Sequence, residues 1–317
     1  SLACETCGGT IPWSPYEQLL FNKGTFVKPT RCATCAESDK PRPEQVLNPS
    51  TEHHEVFRIP SAGRWHSDPA ITAWPPHLDH EAIERARTAD LRIVTLGDDL
   101  TYSSGEVTES WPFLLEKELN RRLADEGLNA AVLNAGIPGT NSRQAIVRLR
   151  RDVYPFHPHL VILSFAYGDS ILDVRGDQWR ERETLEEAEN NARDLIRQLK
   201  RKKLDLLYWT TNPLFAHDRK LSRKVPGWAS EQASRKAHVL AHTLKVCREF
   251  QVPVLELRAR FEVNGQASAR KWMSDWLNHN RSGAGNIATW MAADILAKHL
   301  APGILEPEKA SVSQNRG

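Results

Sequence analysis

The sequence predicts an α/β protein: a parallel five-stranded sheet flanked by helices, preceded by a small cysteine-framed module. Three observations carry this. From residue 81 onward, short β-branched apolar runs alternate with longer segments of helical spacing, the pattern of a layered parallel sheet. Residues 1–40 hold two C-x-x-C pairs, Cys4 with Cys7 and Cys32 with Cys35. Residues 41–80 lack periodicity and are rich in Pro and His, which reads as a linker or wrapping arm.

Each element follows in order. A helix over 81–89 leads into Leu91–Leu96, a run too short for a helix and therefore the first strand. Trp111–Glu126 repeats Phe113, Leu114, Leu115, Leu119 and Leu123 at helical spacing, with Ser110 as N-cap, Pro112 in the first turn and Gly127 as the stop. Ala130–Asn134 is the second strand, 142–152 a helix and Leu160–Phe165 the third strand. A charged helix near 182–202 precedes the fourth strand, Leu204–Trp209. After a loop come helix 229–250, the fifth strand Val252–Leu257 and a closing helix near 285–299. The domain spans 81–305, with a polar tail at 306–317.

Composition narrows the function class. The 317 residues are 40% apolar and 26% charged, which excludes disordered, collagen-like and disulfide-scaffold proteins. No run approaches the roughly 20 apolar residues of a membrane span, and no leader pattern opens the chain. A cytoplasmic protein with no membrane partner is expected. Forty-two Lys and Arg against 40 Asp and Glu leave a formal charge of +2, so whole-chain electrostatics gives no argument for nucleic acid. The Arg and Lys series at Arg148, Arg150 and Arg151, and at Arg197, Lys200, Arg201, Lys202 and Lys203, are read as the solvated side of surface helices.

The four N-terminal cysteines suit one tetrahedral Zn²⁺, because each C-x-x-C turn aims two thiolates at one ion. Four thiolates close the coordination shell, so this zinc is expected to be structural. The surrounding Trp13-Ser14-Pro15-Tyr16-Glu17-Gln18 and Pro29-Thr30-Arg31-Cys32 resemble a small bacterial zinc-ribbon family over about residues 3–37. The resemblance implies docking to protein or nucleic acid. Cys247, far from the others, reads as a buried apolar side chain. His53, His54, His66, His77 and His80 are irregularly spaced and read as solvated loop residues, not as a second metal site.

In open parallel sheets, ligands sit beyond the carboxyl ends of the strands. Gly97-Asp98-Asp99-Leu100-Thr101 follows the first strand. Asn134-Ala135-Gly136-Ile137-Pro138-Gly139-Thr140-Asn141 follows the second, and Ala166-Tyr167-Gly168-Asp169 the third. Asp275-Trp276-Leu277-Asn278-His279-Asn280 precedes the last helix. Together and in this order, these resemble the four sequence blocks of the SGNH (GDSL-type) hydrolases over about residues 90–300. The resemblance implies a flavodoxin-like sheet order, a serine nucleophile at position 99, oxyanion donors from Gly139 N–H and an Asn at 168, and a closing Asp and His as orienter and base. Asp98 and Asp169 then order their loops. With Asn141 and Asn212, they are expected to line the pocket as binding residues.

The departures from that pattern direct the functional reading. Asp99 stands where the family has Ser, Gly168 where it has the oxyanion Asn, and Ala166 where it has the preceding Gly. Asp275 and His279 are read as the closing pair, although Asn278 occupies the His of an Asp-x-x-His form. An acid at position 99 opposes the charge that acyl transfer develops. The expected protein is therefore a pseudoenzyme whose pocket binds a carbohydrate or a protein, with Asp99 accepting the former oxyanion donors or pairing with a protonated His279. Asp99→Ser with Gly168→Asn is expected to restore some esterase activity. Two alternatives stay open: an active hydrolase directed at acyl, phosphoryl or glycosyl groups through Asp99 and His279, and a nucleic-acid-associated scaffold. Trp272, Trp276 and Trp290 read as core packing.

Overall fold

The computed structural model describes residues 2–5, 8–11, 75–78, 80–103, 105–263 and 265–298. Cys7, Cys32, Cys35, His53, His54, His66 and the tail lie outside them. At the N-terminus, β1 (Leu2–Ala3) and β2 (Thr10–Ile11) pair antiparallel. Cys4 N–H donates to Gly9 O and Gly8 N–H to Cys4 O, each at 2.8 Å, so Cys4 stands at the turn of a tight hairpin.

The main sheet contains β3 (Leu91–Gly97), β4 (Ala130–Gly136), β5 (Leu160–Ser164), β8 (Asp205–Trp209) and β9 (Val254–Leu255). All pairs are parallel, in spatial order β4-β3-β5-β8-β9. Both faces are covered, as near-continuous apolar strands require. On one face, Val94, Leu96, Leu133, Val161 and Leu163 pack against α4 (Ser142–Asp152), α5 (Leu185–Arg201) and α6 (Trp228–Glu249), where Cys247 is buried. On the other, Ile93, Val132, Ile162 and Leu207 meet α3 (Trp111–Leu123) and α9 (Arg281–Lys298). Each fully buried Leu or Ile contributes about 1.5–3 kcal/mol. Gly97 is level with both Gly136 and Ser164, so three strands end together and their following loops share one edge. No helix among the described residues is long and apolar enough to cross a membrane.

The remaining helices are α1 (His80–Thr88), α2 (Asp99–Tyr102), α7 (Leu257–Glu262) and α8 (Gln266–Arg270). Between the third strand and α5 lies a hairpin that the sequence did not predict, β6 (Leu172–Arg175) and β7 (Gln178–Glu181). Three local readings are corrected. Ser110 stands at the N-cap of α3, yet its hydroxyl donates to Val107 O at 2.7 Å instead of capping. His77 is buried, not solvated, with its ring 4.3 Å from Tyr102 and Nδ1 3.2 Å from Asn134 Nδ2. Arg148 also leaves the solvated face: it donates to Ala135 O at 2.6 Å, Gly97 O at 3.1 Å and Asp152 Oδ2 at 2.8 Å. It ties the ends of β3 and β4 together beneath the shared edge.

Candidate functional site

The loop after β3 turns at once into α2, whose first turn places two adjacent carboxylates at the strand end. Asp98 caps the helix, Oδ1 accepting from Leu100 N at 3.0 Å, while Oδ2 accepts from Gly168 N at 2.7 Å across the sheet edge. It is fully buried, and burial followed by the neighbouring Asp99 charge pushes its pKa up to about 7. Asp99 is half-buried. Its Oδ2 accepts the Gly139 N–H at 2.8 Å, and Gly139 presents that N–H from a left-handed backbone with φ of 75°. Burial raises the Asp99 pKa, against hydrogen bonding from Gly139 and the charge of Arg182. Arg182 donates to Gly139 O at 3.0 Å and pairs with Asp173 of β6 at 2.7 Å, so the hairpin that the sequence reading missed supplies a wall of this site.

Gly168 has no room for a side chain. A Cβ there would lie 2.0 Å from Thr140 O and 3.2 Å from the Asp98 Cβ. The expectation that Gly168→Asn restores an oxyanion donor is therefore corrected: the loop after β5 has closed onto the loop after β4, and an Asn cannot enter without backbone movement.

The last block divides into two arrangements. Asp275 accepts from Leu277 N and Asn278 N at 2.7 Å each through Oδ1, and from Asn278 Nδ2 at 2.9 Å through Oδ2. His279 turns the other way: its Nε2 lies 2.7 Å from Ser103 Oγ, and the same hydroxyl accepts the Trp111 N–H at 3.3 Å. Burial pulls the His279 pKa down to about 4, so the ring is neutral at pH 7. The expected pairing of Asp99 with a protonated His279 is corrected on both counts. Ser103 and His279 are each at most 3% exposed, and among the described residues the buried His279 Nδ1 has no hydrogen-bond partner, so no acid there orients this ring. The pair is an interior hydrogen bond and lacks the base–orienter link of a hydrolytic triad.

The four residues expected to bind ligand are turned inward. Asp169 Oδ1 accepts Ser142 N at 2.7 Å, and burial with the Glu183 charge holds its pKa well above the usual carboxylate range. Asn141 caps α4 by accepting from Gln144 N at 3.0 Å and donates to Glu183 at 2.9 Å. The Asn212 side chain donates to Leu277 O at 2.8 Å, and its backbone carbonyl accepts from the buried Lys236 at 2.8 Å. With Asp98, these are the struts of the site, each satisfying backbone groups that would otherwise be buried unpaired. Of the nominated residues, Asp99 and Gly139 are in contact and half-exposed, and Asp98 touches Gly168. Tyr167 was missed: it packs edge-on against Trp276 at 6.0 Å, and burial followed by the Asp99 charge raises its pKa, keeping the phenol protonated. Trp272 and Trp290 pack with Phe261. Among the described residues, no group of three or more His, Cys, Asp or Glu is arranged to hold a metal ion.

Residues 95–284 match the profile of the GDSL-like Lipase/Acylhydrolase family. Among solved structures, the chain is similar to the lipase/acylhydrolase from Enterococcus faecalis, with TM-score 0.51 and 21% identity over 65% of this chain and 96% of that one. It is also similar to the acetyl xylan esterase AlAXEase, with TM-score 0.52 and 16% identity over 65% of this chain and 100% of that one. At these identities, the likeness is one of fold. No curated protein matches.

Proposed function

The chain belongs to the GDSL-like lipase/acylhydrolase family, and from that premise we propose that its pocket binds a ligand instead of hydrolysing an ester. The observation that carries this is the Asp99 carboxylate on the Gly139 N–H at 2.8 Å. By the family resemblance, position 99 is the nucleophile and the Gly139 N–H an oxyanion donor. Here an acid takes the first place and occupies the second, so the donor is already saturated by negative charge. Loss of a triad serine costs on the order of a million-fold in turnover, and loss of one oxyanion donor roughly a hundred- to a thousand-fold. The second donor is missing as well, with Gly168 enclosed by Thr140. His279, buried and bonded to Ser103 instead of Asp99, also weighs against a hydrolase working through Asp99 and His279.

A carboxylate held this way selects ligands that donate hydrogen bonds or carry a cation near position 99. The full chain should give no fluorophosphonate adduct in intact-mass spectra and no turnover of short-chain p-nitrophenyl esters above the buffer rate. A serine adduct would overturn the reading. The tight hairpin turn at Cys4 supports a structural zinc ribbon at residues 1–40 that docks to protein or nucleic acid. One zinc per chain by elemental analysis is the expected content, and a zinc-free, folded chain would contradict it.

A further inference from the structure

Beside the site stands a cation that no carboxylate among the described residues pairs. Arg219 lies between two short turns, and its guanidinium is stacked 4.9 Å above the ring of Trp228 and 4.8 Å above that of Trp276. The two indoles meet edge to face at 5.9 Å and fix the platform. Neighbouring Asp218 is engaged by Arg270 at 3.0 Å, and among the described residues no carboxylate pairs with Arg219. Stacking on indole faces holds the charge without using its hydrogen-bond fork, which remains free for a planar oxyanion.

The position matters as much as the charge. Trp276 also packs against Tyr167 at 6.0 Å, and the Tyr167 hydroxyl feels both Asp99 and Arg219. Tyr167 directly precedes Gly168, whose N–H is bound to Asp98 beside Asp99, so the aromatic platform that carries Arg219 borders the loop that meets the carboxylate pair. Arg182, beside Asp99, is spent on Asp173 and Gly139 O.

We propose that this pocket takes a small carboxylate carrying hydrogen-bond donors, its carboxylate forked onto Arg219 and its donors directed to Asp99. The proposal rests on the binding reading of the site and adds the ligand's chemistry. Two sources share this chemistry, an acidic sugar through its hydroxyls and an amino acid through its ammonium group.

The test titrates the full chain with four probes while following the indole ¹⁵N–¹H resonances of Trp228 and Trp276. D-Glucuronate offers carboxylate and hydroxyls, 4-aminobutyrate carboxylate and ammonium, D-glucose hydroxyls alone and propionate carboxylate alone. At least one of the first two should bind ten-fold or more tightly than either control. Arg219→Gln should remove that preference, and Arg219→Lys should keep it at reduced affinity, which separates loss of charge from loss of fold. Asp99→Asn should weaken an ammonium probe ten-fold and leave a hydroxyl probe within three-fold, identifying the source. Equal binding of all four probes, no binding by any, or a preference untouched in Arg219→Gln would overturn the proposal. Ester turnover by the wild-type chain would instead sink the binding reading on which it rests.

Discussion

Gly168→Ala should destabilise the domain by about 3 kcal/mol, the upper end of the usual cost of overpacking, because the contact is with backbone. The added Cβ would stand 2.0 Å from Thr140 O, and nothing at that contact is the mobile end of a side chain. Relief requires the loop after β5 to move away from the loop after β4. That movement also breaks the 2.7 Å bond from Gly168 N to Asp98, leaving a buried carboxylate oxygen with one donor fewer. In a domain of this size, the loss lowers the melting temperature by on the order of 10 °C. Gly139→Ala is the control, since a Cβ there meets nothing within 4 Å and only its positive φ is penalised, by about 1–2 kcal/mol. Thermal melts of the two variants check the ordering. A Gly168→Asn chain as stable as wild type would show that the enclosure is not tight and would reopen the position to an oxyanion side chain.

Arg148→Met should cost about 3 kcal/mol, the lower end for breaking a buried ion pair, because Asp152 loses Arg148 but still faces Arg151. Asp152 is wholly buried and would keep Arg151, at 2.6 Å, as its cationic partner among the described residues. The carbonyls of Ala135 and Gly97 would each lose the guanidinium donor. These carbonyls end the two strands that carry Asp99 and Gly139, so the variant should also loosen their contact. Urea denaturation gives the comparison, with the exposed Arg150→Ala expected within about 0.5 kcal/mol of wild type. Equal effects at 148 and 150 would return Arg148 to the solvated face where the sequence reading placed it.

The sheet and its helices were legible because parallel strands buried on both faces leave unbroken apolar runs, and the helices between them carry 3.6-residue spacing. Arg148 was misread as one of a basic series, yet it falls on the stripe of α4 that includes Asn141, Ala145, Leu149 and Asp152, all buried. An Arg four residues before an Asp on an apolar stripe was the available signal. The β6–β7 hairpin had a weaker one, alternating Leu172 and Val174 before Gly176, whose φ is 65°. The closing block could not be resolved from spacing. Asn278 and His279 lie on a turn where successive side chains diverge, so one joins Asp275 and the other joins Ser103. Nothing near Ser103 marks it as that partner, since the contact depends on its left-handed backbone and on a residue 176 positions away. The carboxylates at 98 and 99 were visible as residues, but their division into an interior strut and a half-exposed acceptor is tertiary.

The central claim is that the acid at position 99 disarms this site, and pre-steady-state hydrolysis of p-nitrophenyl acetate tests it most directly. Wild type should release no burst of p-nitrophenol, whereas Asp99→Ser combined with Asn278→His should release up to one equivalent per chain, followed by slow turnover through the freed Gly139 donor. A stoichiometric burst from the wild-type chain, unchanged in the double variant, would contradict the account.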